Sequence, residues 1–323
     1  MKTVSVVIPC YNCSAYLAET LTSVRAQTRP VLEVIVVDDA STDDSAAAAS
    51  RFAEVQVVRL PRNSGISSAR NAGLLAARGD LIAWLDADDI WEPDHLATVA
   101  GLLEQYPSAG VAFSLTRGFG VSQHVWDPVL PPLKPVDAFW PSWQQTVAQM
   151  STCVVWREQV TALQGFDPTI RNVEDFEFFL RLARKYPFVC THQITARYRK
   201  HPGSASRQVI PSRMQEYATR VRVLASARST ETPEFVARLE AEWRRAWDIR
   251  LQEAWGARNL LLLRFYLGLE ILVPDAAAVG KRWRRRAHLA RLWKLWDLLH
   301  GRIRPPGSAS PGTTSGSPGH SLE

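Results

Sequence analysis

A chain of 323 residues, 46% of them hydrophobic, holds enough apolar matter for one large domain or two ordinary ones and needs no staples to fold. Its four cysteines fit no disulfide framework, since Cys153 and Cys190 lie in separate apolar runs that read as buried strands. The formal charge of +6 is surplus of the C-terminal end, where residues 281 to 304 are crowded with Arg and Lys and hold one acid, Asp297.

Met1-Lys2-Thr3 opens into an apolar run that Pro9 closes, far short of a signal core, so a cytoplasmic start is expected. Val4 to Pro9 predicts a first strand, and Leu17, Leu21 and Val24 follow at helical spacing. Between them Cys10 and Cys13 form a C-x-x-C, but no second cysteine or histidine pair stands at ligand spacing, which argues against zinc. Leu32 to Val37 predicts a second strand, closed by the polar cluster Asp38 to Asp43. An alanine-rich helix then runs to about Phe52, and Val55 to Leu60 predicts a third strand. Asn63 to Gly73 opens a further helix, which Gly79 ends. The fourth strand, Leu81 to Leu85, runs straight into Asp86, Asp88 and Asp89. Carboxylates crowded this closely give up charge, face open water, or hold a hard divalent cation such as magnesium or manganese.

Four β-α units imply a Rossmann-like, mainly parallel sheet with helices on both faces, and such sheets bind ligands outside the carboxyl ends of their strands. Pro9 to Asn12, Asp38 to Asp43 and Asp86 to Asp89 all fall at that edge, with Arg70 and Asn71 on the helix between. No G-x-G-x-x-G follows the first strand and no G-K-[ST] loop is present, which argues against a dinucleotide oxidoreductase and a P-loop phosphotransferase.

Pro93 opens the next helix and Val111 to Leu115 predicts a strand. Residues 118 to 145, rich in Gly, Pro and Trp, read as a long irregular excursion near the site. Thr152 to Trp156 predicts another strand, Gly165 to Pro168 a turn, and Glu174-Asp175 the front of a helix that buries Phe178, Phe179 and Leu182. Val189 to Tyr198 predicts the last strand, from which His201-Pro202-Gly203-Ser204 turns away. From about Pro211 the chain reads helical, with Trp243, Trp247, Leu251 and Trp255 about one turn apart. Leu260 to Val273 is apolar, yet Arg264 and Glu270 interrupt it and it falls short of the ~20 residues a membrane span needs. The expected division is an α/β domain over 1–206, a helical module over 207–304 and a disordered Pro, Gly and Ser-rich tail over 305–323.

Val6-Val7-Ile8-Pro9-Cys10-Tyr11-Asn12, Val36 to Asp43, Gly65 to Gly73 and Asp86-Ala87-Asp88-Asp89 together resemble the inverting family 2 glycosyltransferases of the GT-A fold. Glu174-Asp175 before Leu180-Arg181-Leu182-Ala183, and Tyr198 to Ser204, continue that resemblance in order, over roughly residues 3 to 206. It implies transfer of a sugar from a nucleoside-diphosphate sugar, a UDP-sugar by family frequency, to a hydroxyl of a glycan or lipid-linked acceptor in cell-envelope polysaccharide synthesis. It implies that Pro9, Tyr11, Asp39, Arg70 and Asp86 bind the nucleotide sugar, Asp39 through base or ribose and Arg70 through base or phosphates. Asp86 and Asp88 match the D-x-D that holds manganese or magnesium, with Asp88 the surer ligand, and the metal stabilises the departing diphosphate. Asp175 matches the catalytic base, with Glu174 its alternative.

Plainer readings stand beside these, the first for the whole chain being a catalytically silent relative that binds nucleotide or glycan as a scaffold, against which intact Asp39, Asp88 and Asp175 argue. Asp39 and Asp43 suit a helix cap, and Glu174 or Asp175 suits a helix dipole. His201 reads either as a surface histidine or as a metal or phosphate contact. Trp126, Trp140 and Trp143 either stack on an acceptor sugar or anchor their loop. Over residues 281–300, Leu289, Leu292, Trp293, Trp296 and Leu299 share a face flanked by Arg284, Arg285, Arg291 and Lys294. That pattern fits a helix on an anionic membrane surface, the alternative being a helix packed on the protein. The interleaved apolar face and the lack of any nucleic-acid motif argue against nucleic acid as a partner.

Overall fold

The computed structural model describes residues 1–257 and 259, apart from 122, 127 and 205–208. The apolar segment Leu260 to Val273, the basic segment 281–300 and the tail 305–323 lie outside the described residues. The chain divides into two compact units, Met1–Ala246 and Trp247–Glu323.

The N-terminal half alternates strand and helix: β1 (Val4–Cys10), α1 (Leu17–Arg25), β2 (Glu33–Asp38), α2 (Ser45–Ala49), β3 (Val55–Arg59), α3 (Ile66–Ala76) and β4 (Leu81–Trp84). Every residue of β1, β2 and β4 is buried, which is why their sequences run apolar without alternation. Then come β5 (Ile90–Trp91), α4 (His95–Gln105), β6 (Val111–Gly120), α5 (Phe139–Gln144), a 3-10 turn (Met150–Thr152), β7 (Cys153–Trp156), α6 (Arg157–Ala162), α7 (Glu174–Ala183) and β8 (Phe188–Lys200). Two long helices follow, α8 (Val209–Thr230) and α9 (Pro233–Gly256). Among the described residues no helix is long and apolar enough to cross a membrane.

One eight-stranded sheet runs in the order β3-β2-β1-β4-β7-β6-β8-β5. Its first four strands are parallel, and β7 runs antiparallel to both β4 and β6. The expected mainly parallel α/β architecture holds, with antiparallel strand pairs made by β7 and by the edge strand β5 and two isolated antiparallel bridges at Arg117–Val125 and Val136–Phe188. Helix α3 lies close on β1 and β2 because Gly73 carries no side chain there. A Cβ at Gly73 would sit 2.2 Å from Val7 Cγ1.

The segment 118 to 145 is more regular than its sequence suggests. Strand β6 continues to Gly120, pairing Gly118 with Tyr198 and Gly120 with Lys200. Glycine there reads as loop, yet it is the strand's requirement: Gly120 has φ +86, and a Cβ would lie 2.5 Å from Lys200 O. Trp143 is fully buried in α5 and its indole N–H donates to Leu239 O at 3.0 Å, while Trp140 lies beneath the Arg238 guanidinium. Both are loop anchors. Trp126 instead packs edge-on against Tyr198.

Candidate active site at the carboxyl edge of the sheet

Strands β1, β2 and β4 are parallel, so their C-terminal ends share one edge and the three polar clusters meet there. After β1 the chain turns at Asn12, in the left-handed region at φ 53, and Asn12 Oδ1 accepts the Thr42 amide at 2.9 Å. Asn is among the residues that tolerate this conformation. The turn leaves Tyr11 45% exposed beside the buried Pro9. After β2 Ala40 is also left-handed, at φ 57, and Asp39 points across to the start of α3. There Asp39 accepts the amides of Ser64 at 2.7 Å and Gly65 at 2.8 Å. Asp39 thus fixes the entry to α3, while Asp43 holds Ser45 N and Ser14 N, tying α2 to the β1 turn.

The acidic loop after β4 is held from beneath. The Asp86 amide donates to Ser151 Oγ at 3.1 Å, and that hydroxyl donates to Asp89 Oδ2 at 2.6 Å. Asp89 is 1% exposed, and burial, with the charges of Asp88 and Asp86, pushes its carboxyl well above the usual range. It also accepts the Arg199 amide at 2.9 Å, while Arg199 Nε donates to Asp88 O at 2.8 Å. Of the three crowded acids, Asp89 is therefore a buried anchor, and Asp86 and Asp88 face outward. Ser151 carries no readable signal in the sequence. Arg199 lies inside the Tyr198 to Ser204 motif.

The structure brings Asp88 together with His201, whose Nε2 lies 3.0 Å from Asp88 Oδ2. The Gly203 amide donates to His201 Nδ1 at 3.2 Å, so the proton of a neutral ring sits on Nε2 and points at the carboxylate. Burial, then the charge of Asp86, raises the Asp88 carboxyl. A divalent cation between this carboxylate and imidazole, each 17–23% exposed, would relieve the acid, but it would take the place of the Nε2 proton and require the ring to give up the Gly203 contact. Among the described residues no three His, Cys, Asp or Glu side chains converge on one point.

Asp86 faces elsewhere. Its Oδ1 accepts Arg70 Nη2 at 2.8 Å, and Arg70 Nη1 donates to Glu174 Oε1 at 2.7 Å. Arg70 is 1% exposed, so both terminal nitrogens are committed to protein carboxylates. Glu174 opens α7 in that pair. Its neighbour Asp175 is half-buried, and its Oδ1 accepts the Phe176 amide at 2.7 Å. Burial, then the charge of Glu174, pushes the Asp175 carboxyl up to about 7, with Arg70 opposing the rise. A carboxyl that titrates near neutrality is suited to accept a proton from a hydroxyl.

Residues 5–160 match the family model for glycosyl transferase family 2. The putative teichuronic acid biosynthesis glycosyltransferase TuaG of Bacillus subtilis is 32% identical over 188 residues, covering 56% of this chain and 72% of that protein. The chain belongs to glycosyltransferase family 2. Chondroitin synthase of Escherichia coli, another relative of this family 2 chain, is 30% identical over 197 residues, 57% of the chain and 27% of the synthase. The chain spans 36%, 72% and 63% of the lengths of three curated relatives. Among solved structures, S. aureus TarS with UDP-GlcNAc superposes with a TM-score of 0.66 at 17% identity, covering 90% of this chain and 87% of that one. The mannosyltransferase PcManGT of Pyrobaculum calidifontis, with GDP-Man and Mn2+, gives 0.58 at 22% identity, covering 92% and 88%. At such identities the likeness establishes the fold, GT-A with C-terminal helices.

Proposed function

We propose that this family 2 chain is a metal-dependent inverting glycosyltransferase, moving a sugar from a nucleoside-diphosphate sugar, UDP-linked by preference, to a hydroxyl of a glycan or lipid-linked acceptor. The observation that carries it is a continuous chain of contacts at one sheet edge. It runs from Asp175, titrating near 7 in the first turn of α7, through Glu174 and Arg70 to Asp86, two residues from the Asp88–His201 pair.

Pro9 and Tyr11 would line the nucleotide, and Asp39 would meet base or ribose through lone pairs not used by Ser64 and Gly65. Asp88 and His201 are the residues that would hold a divalent cation, manganese or magnesium, which would supply Lewis-acid stabilisation to the departing diphosphate. Asp175 takes the proton of the acceptor hydroxyl as that oxygen bonds to the anomeric carbon and the bond to the diphosphate breaks on the opposite face. One displacement of this kind inverts the anomeric configuration. Glu174 is the poorer base, because its carboxylate is already paired to Arg70 while Asp175 accepts only a backbone amide.

The donor reading draws support from TarS with UDP-GlcNAc and PcManGT with GDP-Man and Mn2+. The acceptor reading draws on a relative named for a glucosyltransfer from UDP-Glc to an α-D-GlcNAc-diphosphoundecaprenol, the Escherichia coli protein WfaP, 37% identical over 106 residues. A cytoplasmic enzyme resting on the inner membrane face through 281–300 fits such an acceptor. The test is thermal stabilisation by a panel of nucleotide sugars with manganese. A cognate donor at 100 times its dissociation constant adds about 2.7 kcal/mol. A panel in which no nucleotide sugar or nucleoside diphosphate raises the melting temperature overturns the reading.

A further inference from the structure

Arg70 holds a full charge in a place that water hardly reaches, and a buried cation persists only where it is paired. Its fork reaches two carboxylates on different elements, Asp86 after β4 and Glu174 at the start of α7, at 2.8 and 2.7 Å. The guanidinium also stands 5.3 Å from the centre of the Phe166 ring. That ring is held by the next residue along α3: Asn71 Nδ2 donates to Phe166 O, and the Phe166 amide donates to Asn71 Oδ1, both at 2.8 Å. The turn before Phe166 passes through Gly165 at φ +67, where a Cβ would lie 2.2 Å from Asn71 Oδ1. Two successive residues of α3 thus build one seat. Asn71 fixes the ring, and Arg70 uses it.

We propose that Arg70 is a positioning residue for the transfer reaction, its fork locking the first turn of α7 to the acidic loop after β4 and setting a cation beside Asp175. The inference rests on the reading of Asp175 as the base. It differs from the role that the family resemblance gives Arg70, in which the guanidinium would turn to base or phosphates. A lysine in its place would keep the charge but hold one carboxylate at a time, losing the fork.

Four groups face Asp175: Glu174 on its own helix, Arg70 from α3, Asp86 from the loop after β4 and Cys153 from β7. The acids among them disfavour its ionisation and Arg70 favours it, so removing each sign of charge moves the titration in opposite directions. The measurement is the carboxyl resonance of Asp175 against pH in the full chain labelled with carbon-13 in its aspartate carboxyls, assigned by its loss in Asp175→Asn. The wild-type midpoint should lie near 7. Arg70→Gln should raise it by about one pH unit or more, a tenfold fall in the ratio of ionised to protonated form at fixed pH. Glu174→Gln should lower it, and Arg70→Lys should return it most of the way to wild type.

A midpoint that stays put in folded Arg70→Gln overturns the proposal. Should that variant fail to fold, Glu174→Gln decides alone, and an unmoved or raised midpoint there overturns it. Asp175→Asn with full transfer activity overturns the base reading while leaving the Arg70 coupling in place. Unmoved midpoints beside an inactive Asp175→Asn do the reverse.

Discussion

Glu174 and Asp175 are neighbours of the same chemical type, and a single contact gives them different surroundings. Arg70 pairs with Glu174 and keeps it occupied, while Asp175, half-buried beside it, is pushed up to about 7. Asp175→Asn keeps the size and removes the basicity, so transfer should slow by roughly 10²- to 10⁴-fold with donor binding nearly unchanged. With Asp175 as the proposed base, which acts in its ionised form, the wild-type rate should climb with pH up to about 7 and then level. Stability follows the opposite course. A carboxyl raised in the folded state binds its proton more tightly there than in the unfolded chain, so its contribution is full below the ordinary aspartate range and is lost as pH rises through about 7. Asp175→Asn should therefore be more stable than wild type above that pH, by on the order of 1 kcal/mol or more, a gain that shrinks steadily as pH falls and vanishes below the ordinary aspartate range. Urea titrations of the two proteins at both pH values measure the difference. Equal stability at both would mean the carboxyl is not strained.

At the scale of elements, close approach explains why some glycines stand where they do and why one alanine is out of place. Gly73→Ala would drive a methyl into Val7 and lift α3 from β1, at a cost of about 1–3 kcal/mol. Ala40 sits at φ 57, where an L-residue is strained and glycine is not, so Ala40→Gly should be neutral or stabilising by up to ~1 kcal/mol. Chemical denaturation checks both, and opposite signs would contradict the packing described. The parallel strands were legible in the sequence because burial on both faces leaves a continuous apolar run, as in β1 and β4. The β6 extension was not, since its two glycines imitate a loop and the partner they accommodate, β8, lies some eighty residues away. For the same reason Asp39, Asp88 and Asp175 could be picked out by motif, but Ser151 could not: a lone serine acquires its role only when the fold sets it under the acidic loop.

Across the whole molecule, chemistry and surplus charge are separated along the chain, with the acidic edge built from residues before about 206 and the basic run at 281–304. We expect Arg284, Arg285, Arg291 and Lys294 to hold the protein on anionic membrane at about 1 kcal/mol per charge. Changing the four to glutamine should release it from anionic liposomes at physiological salt, and flotation that survives this change and the loss of Trp293 and Trp296 would place attachment elsewhere. The central claim, however, is that a nucleoside diphosphate binds at this sheet edge through a cation on Asp88. Calorimetric titration of UDP into the protein, in manganese and in chelator, tests it most directly. Binding should appear in manganese, vanish in chelator and vanish in Asp88→Ala, whose fold should be unharmed because a crowded, unfavourably charged carboxylate has been removed. UDP affinity that is the same with manganese, with chelator and in Asp88→Ala would contradict the account.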